Sequence, residues 1–333
     1  MEPNSIFICS TYYHVLIAIV KTLTLKLTAD IIVCSYIPDF QKLCKRLTNS
    51  GIFVNVSVFA RSKTNQYRCR NKLDKLFHLH KRNAKVIERK LKIDLKRYEF
   101  VYIFHDDIEL GHYLQDIKCR YHLLEDARDF MRIIPKTVFA NLIPPKHSFK
   151  YWLKKFLGVG YFPLGQSKYA VSIEVNDKTD IVIPMKKIKE APKEQMFALL
   201  TEEHKDIISD VFAYSLKVDV LGMKRALVLT QPLSFEHQVS DDNAQIRVYQ
   251  SIVDNLRAKG YFVYLKPHPR DTVKYDTLLH CSGIIDKNIP AEVISLKKEL
   301  TFKKAVTINS TSIYSMDIAE ERVALGLEYL ENY

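Results

Sequence analysis

The 333-residue sequence predicts an α/β protein of two Rossmann-like, doubly wound domains. Three observations carry that reading. Apolar, β-branched runs alternate with helical periodicity through about residue 130, and a second alternating series begins near residue 194. The runs are near-continuous in Val, Ile and Leu, as expected of parallel strands covered on both faces. Between the two series, residues 135–195 break the rhythm with proline, glycine and aromatic residues, as a joining region would. The first domain is read as residues 1–180 and the second as 181–333.

In order along the chain, SIFICS predicts a buried strand and TYYHVLIAIVKTLTLKL the helix after it. DIIVCSY is a second strand, PDFQKLCKRLTNSG a helix stopped by Gly51, and IFVNVSVF a third strand. A basic helical segment follows, then strand FVYIFH, helix DIELGHYLQDI and strand CRYHLLE. Within the joining region, KHSFKYWLKKFL surrounds Trp152, the single tryptophan. It reads as a basic amphipathic segment, suited either to a membrane interface or to packing on its own domain. VIPMKKIKEAPKEQ reads as the crossing between domains. In the second half, EQMFALLTEEHKDIISDVF reads as helical, RALVLTQPL as a strand, and DNAQIRVYQSIVDNLRAKG as a helix stopped by Gly260. Strand YFVYLKPHP follows, and then GIIDK, AVTIN and RVALGL as short strands separated by helical pieces.

Composition removes several classes. With 47% hydrophobic and 26% charged residues the chain can build a sizeable core and reads as soluble and globular. No apolar run approaches the ~20 residues that span a bilayer, and MEPNSIFICS lacks a basic leader and a cleavage site. The six cysteines are scattered with no CxxC, which fits a reducing compartment and opposes a zinc site or a disulfide framework. Cytoplasmic residence is therefore expected. With nine glycines and neither GxGxxG nor Walker A, a glycine-rich phosphate loop is not expected. The net charge of +12 sits in one place: Arg61 to Arg97 holds 14 Lys/Arg against three acids. Such a segment is a solvated helix surface or an attraction for anionic membrane or glycan. Nucleic acid is disfavoured, because no binding motif or stacking pattern accompanies the charge.

Four constellations carry chemistry. In YLKPHPRD the two prolines hold His268 extended at a strand's C-terminal end, where α/β proteins place ligands. His268, with Lys266, Pro269 and Arg270 around it, suits an anion such as phosphate; the alternative is a stiff turn with His268 as a cap. In INSTSIYSMDIA, Ser310, Thr311 and Ser312 follow a strand and open a helix, giving N–H groups and hydroxyls for an anion or an ordinary N-cap. In YHLLEDARDF, Glu125 and Asp126 end a strand, where one carboxylate could act as general base. Their other reading is a helix cap paired with Arg128 or Arg132. FHDDIE and SDDNAQ are rival acidic pairs, with Asp241 and Asp242 as reserve bases. In CSTYYHVL, Ser10, Thr11, Tyr13 and His14 either contact a sugar acceptor or cap the first helix.

The acidic LEDA, the strand-ending KPHP and the later NSTS, taken in that order, resemble the motifs of the bacterial GT-B sialyltransferases. The opening ICSTYYHVLIAI is similar to the TPYH-type start of glycosyltransferase family 52, the lipooligosaccharide and capsule sialyltransferase group. The resemblance implies a GT-B fold with an interdomain cleft. It implies an inverting, metal-independent transfer from CMP-sialic acid to a glycan or lipid-linked glycan, without a cofactor. Carried onto this chain it makes Asp126 the base, His268 the group that contacts the donor phosphate and assists departure of CMP, and Ser310, Thr311 and Ser312 the holders of that phosphate. Glycine is the family's third position where this chain has Ala127, which brings Asp241 and Asp242 forward as alternative bases and leaves room for another donor. With such an acceptor, the basic segment and the Trp152 segment would keep the protein at the inner membrane face, and the resemblance further implies a homodimer as one assembly. Other transferases of similar C-terminal pattern, using CMP-Kdo, CDP-glycerol or a hexosyl donor, are the alternative. A non-catalytic polyanion- or glycan-binding protein is the rival from another class.

Overall fold

A computed structural model describes residues 2–60, 79–127, 130–133, 161–179, 185–214, 223–275, 280–296, 302–314 and 319–333, and the single positions 153 and 181. Most of the basic segment, the Trp152 segment and Arg128 lie outside the described residues.

The chain divides into two compact units, Met1–His204 and Lys205–Tyr333. The first holds strands β1 (Ser5–Cys9), β2 (Ala29–Cys34), β3 (Val56–Phe59), β4 (Phe100–Ile103), β5 (Tyr121–Leu124), β6 (Ala170–Val175) and β7 (Ile188–Glu190). They form one sheet in the order β3-β2-β1-β4-β5-β6-β7, parallel throughout. Its helices are α1 (Tyr12–Thr24), α2 (Phe40–Ser50), α3 (Leu79–Leu91), α4 (Glu109–Asp116), α5 (Phe130–Ile133) and α6 (Lys193–Ala198). Strands β1 and β2 are buried at every position, so their sequences run apolar without alternation. Gly51 ends α2 with φ of 65°, the left-handed conformation for which the sequence placed a glycine there.

Strands β6 and β7 correct the reading of residues 135–195 as a break. AVSIEV is a sixth parallel strand, and Ile188–Glu190 pairs beside it. Lys21, buried on α1, forms a 2.5 Å ion pair with Glu174 of β6, so β6 is bound to the first unit by charge as well as by its ladder. The first unit therefore continues past residue 180, through the β6–β7 pairing, to the division at His204.

The second unit holds β8 (Arg225–Leu229), β9 (Phe262–Lys266), β10 (Gly283–Ile284), β11 (Phe302–Thr307) and β12 (Ala319–Ala324), parallel in the order β10-β9-β8-β11-β12. Helices α8 (Asp242–Ala258) and α9 (Ala291–Leu296) belong to it, and the division falls within α7 (Glu202–Val211). The expected helix EQMFALLTEEHKDIISDVF is two helices, because Thr201 accepts the backbone N–H of His204 and starts α7 afresh. Its core gathers Val228, Val248, Tyr249, Val263, Leu265 and Val306.

In each sheet the first strand of the unit lies between the second and the fourth. The strand order thus reverses between β1 and β4 in one unit and between β8 and β11 in the other. These reversals are the points at which open parallel sheets bind ligands, beyond the strands' carboxyl ends.

Candidate active site

In the first unit, the chain leaving β1 carries Ser10 and Thr11 and turns into α1. Thr11, extended at φ −138° and ψ 163°, accepts the backbone N–H of His14 and caps the helix. This cap fixes His14 in the first turn, fully buried. The backbone N–H of Ser10 donates to His14 Nδ1 at 3.1 Å. An imidazole nitrogen that accepts carries no hydrogen, so in neutral His14 the hydrogen is on Nε2. Nε2 lies 2.6 Å from Asp126 Oδ1 and donates to it. The ring also stacks on Phe104, with centroids 4.0 Å apart.

A second histidine reaches the same oxygen. His105, two residues past β4, places Nε2 3.0 Å from Asp126 Oδ1. Its Nδ1 lies 3.7 Å from Asp107 Oδ1. Asp126 itself stands two residues past β5. Oδ1 thus meets two imidazoles, and among the described residues no hydrogen bond reaches Oδ2. Burial pushes the Asp126 carboxyl up, but the hydrogen bonds from His105 and His14 and the charge of His105 outweigh it and hold it well below the usual range. Asp126 is ionised at neutral pH. Burial takes His14 down to about 4, against the pull of Asp126, so it is neutral. Burial opposes His105 too, yet the hydrogen bond to Asp126 and the charges of Asp126, Asp107 and Asp106 raise it.

His14, His105 and Asp126 are close enough to meet one cation, with ligand atoms within 4.8 Å of one another. The tautomer of His14 speaks against that use. Its Nδ1 is taken by Ser10, so its Nε2 carries hydrogen and offers no lone pair. The donor set is spent on hydrogen bonds.

The neighbouring carboxylate has a different task. Glu125 is 1% exposed and accepts from the backbone N–H groups of Met131 and Asn176, with Lys193 Nζ at 3.6 Å. It ties α5 and the end of β6 together and is not placed as a base. Lys193 also stands 5.2 Å from the ring centroid of Tyr13, which meets His14 edge-on. Ala127 does not have a positive φ, so alanine suits the position where the related motif has glycine. The reserve bases Asp241 and Asp242 serve α8 instead. Asp241 accepts from Ala244 N at 2.8 Å as its N-cap, and Asp242 Oδ1 accepts from Ser234 Oγ at 2.5 Å, both exposed.

In the second unit, β8 leads to Thr230, β9 to His268 and β11 to Ser310. Thr230 Oγ1 lies 3.2 Å from the backbone N–H of His268 and accepts from it, and donates to buried Asp271. The backbone N–H of Arg270 donates to His268 Nδ1 at 3.2 Å. By the same tautomer argument, neutral His268 presents Nε2–H as a donor. Burial, then the charges of Arg270 and Lys266, take His268 down to about 4. Asp271, missed in the sequence, also accepts from Gln245 and Tyr275 and so fixes the KPHPRD turn.

The cations beside His268 are not turned to a ligand in the expected way. Lys266 is 5% exposed, donates to the carbonyls of Pro267 and Lys287, and is taken down to about 7 by burial. Arg270 pairs with Glu236 at 2.7 Å. Pro269 stands within the turn that the Asp271 N–H to His268 carbonyl bond closes. Ser310 donates its backbone N–H to Thr307 Oγ1, and Thr311 and Ser312 lie in a 3-10 helix, Thr311–Tyr314; residues 315–318, where the expected helix would continue, lie outside the described residues. The described residues show no α-helix N-terminus at Ser310, because the turn closes on Thr307 and the Ser310 carbonyl.

Two parallel sheets of Rossmann order each carry a histidine-bearing turn beyond their strand ends. The sequence matches glycosyltransferase family 52 over residues 50–324, and the chain belongs to that family. It is thus a glycosyltransferase. It is similar to an uncharacterized protein of Haemophilus influenzae, 24% identical over 231 residues that cover 69% of this chain and 68% of the relative. Among solved structures it is similar to the α/β-galactoside α-2,3-sialyltransferase of the luminous marine bacterium Photobacterium phosphoreum. That likeness has a TM-score of 0.54 and 12% identity over 95% of this chain and 88% of the other, and it is one of fold, of the GT-B kind.

Proposed function

We propose that the protein is an inverting sialyltransferase that moves sialic acid from CMP-sialic acid to a hydroxyl of a galactoside-bearing glycan, without a metal. The observation that carries this reading is Asp126, held ionised by two imidazoles on Oδ1, with no hydrogen bond from the described residues on Oδ2, which is proposed to receive the proton. The acceptor O–H bond breaks toward Oδ2 as its oxygen bonds to the anomeric carbon. The bond from that carbon to the CMP phosphate breaks, and its electrons leave with the phosphate. In the second unit, His268 Nε2–H and the Ser310 hydroxyl are proposed to receive that phosphate. A neutral imidazole N–H suffices as a donor, so the low pKa of His268 does not conflict with the role. Sequence likeness to family 52 and the fold of the galactoside sialyltransferase support the choice of sugar.

The test is release of CMP from CMP-sialic acid with lactose as acceptor, in the presence of EDTA. Wild type turns over, and Asp126→Asn loses on the order of 100-fold or more in kcat with little change in donor KM. Turnover by Asp126→Asn at the wild-type rate overturns the base assignment. Turnover restored only by a divalent cation overturns the metal-free reading.

A further inference from the structure

The Asp126 cluster contains more than a base. We propose that His105 is the proton outlet of the site: it carries a proton at rest and releases it by way of Asp107 as Asp126 takes the acceptor's. The inference rests on Asp126 being the base.

A base held far below the usual carboxylate range is a poor proton acceptor unless something relieves that hold as the proton arrives. His14 cannot relieve it. Both its nitrogens are engaged, Nδ1 by Ser10 and Nε2 by Asp126, and it is fully buried. His105 differs in each respect. Its side chain is 28% exposed, and its far nitrogen faces Asp107, itself 44% exposed. Nε2 must carry hydrogen, because two lone pairs would otherwise oppose each other across 3.0 Å. Asp107 at Nδ1 favours a second hydrogen there, which makes the resting ring an imidazolium between two carboxylates. Among the described residues, the charged and titratable groups around it are Asp126, Asp107, Asp106 and the ring of His14, 5.1 Å away. Three of the four are carboxyls, and His14 is neutral.

The proton count then closes. At rest the Asp126–His105 pair is carboxylate plus imidazolium. The acceptor O–H proton binds Asp126 Oδ2, and the Nδ1 proton of His105 leaves past Asp107 to solvent. The pair ends as carboxylic acid plus neutral imidazole, with Nε2–H still donated to Oδ1. Its net charge is the same before and after, so no charge is created in a partly buried site. His105 touches no substrate in this scheme and is a positioning residue acting through Asp126.

The experiment titrates the histidine rings by NMR in protein carrying 15N-labelled histidine, with the His105 signal assigned by its loss in His105→Gln. His105 is expected to titrate above an ordinary histidine, and to fall in Asp107→Asn and in Asp126→Asn. Titration at or below the ordinary value, or no response to Asp107→Asn, overturns the proposal whatever the donor proves to be. A second arm follows kcat/KM for CMP-sialic acid and lactose against pH. The outlet works only while His105 is charged, so the rate falls on the alkaline side. Asp107→Asn moves that fall to lower pH. His105→Gln keeps an N–H donor for Asp126 but loses the alkaline fall and at least 10-fold of the plateau. An unchanged plateau in His105→Gln overturns the outlet while leaving the base in place. A wild type inactive on CMP-sialic acid counts against the donor, and the ring titration then decides the outlet.

Discussion

His14 shows how a cap, a tautomer and a charge combine at one residue. Thr11 starts α1, the freed N–H of Ser10 takes Nδ1, and Nε2 is left to hold Asp126. Burial without protonation has a consequence for stability. His14 and His268 titrate near 4 in the fold and near the ordinary value of about 6.5 when unfolded. As pH falls below 6.5 the unfolded state takes up protons first, so stability is lost between about 6.5 and about 4 and is level above. His105, raised in the fold, acts in the opposite sense and loses its contribution as pH rises. Urea unfolding from pH 7 to 4 is expected to show a falling stability, with a shallower fall in His14→Gln. An equal slope in the variant removes His14 from the acid response. Of this cluster, Asp126 was singled out because LEDA ends a strand, whereas His14 was read in STYYH as an acceptor contact or a helix cap; it is fully buried with both nitrogens engaged, by Ser10 and Asp126. His105 was not singled out, because FHDDIE draws the eye to its carboxylates; the signal was the histidine directly after a strand, in the position that β4 gives it at the reversal of the sheet.

At the scale of elements, the position of His105 depends on a close approach. Helix α4 passes over the turn that carries His105 and Asp106. At Gly111 a Cβ would sit 2.3 Å from Asp106 Cα and 2.5 Å from its carbonyl carbon. Both are backbone atoms and cannot rotate away. Asp106 is itself fixed from the other side, accepting from Leu164 N, Gly165 N and the Tyr121 hydroxyl. Gly111→Ala must therefore push α4 off the turn, at a cost of about 1–3 kcal/mol or more. The expected outcome is a lower Tm with kcat reduced through the displaced His105. A Tm within a degree of wild type would mean that the approach is not tight. Strand periodicity was legible wherever both faces are buried, as in β1 and β2. It failed at β6 and β7, where Pro163, Gly165 and the charges of β7 surround short strands held mainly by their neighbours. In the NSTS segment the hydroxyl residues after a strand open a 3-10 turn whose first N–H, that of Ser310, is taken by Thr307 Oγ1.

At the scale of the whole molecule, both sheets were legible from alternation, and the division between units was not, because two strands beyond residue 135 join the first sheet. The two units share one strand order yet present different chemistry at the reversal. The first offers an ionised carboxylate backed by two imidazoles; the second offers a neutral imidazole N–H on a turn fixed by Asp271 and the Ser310 hydroxyl on a separate turn after β11. A carboxylate repels a nucleotide phosphate, whereas N–H and O–H donors accept one. On the proposed function nucleotide recognition belongs to the second unit, and the full chain is expected to register it as stabilisation. Ligand present at 100 times its Kd adds about 2.7 kcal/mol to the state that binds it. Melting the full chain with CMP, CDP, UDP and GDP in turn, with EDTA throughout, is expected to show a rise in Tm for CMP. The rise should shrink in His268→Ala and persist in Asp126→Asn. A rise with CDP or UDP alone would keep the nucleotide site and replace the donor. A CMP response lost in Asp126→Asn but kept in His268→Ala would reverse the assignment of the two units, because the carboxylate would then be the group on which the nucleotide depends.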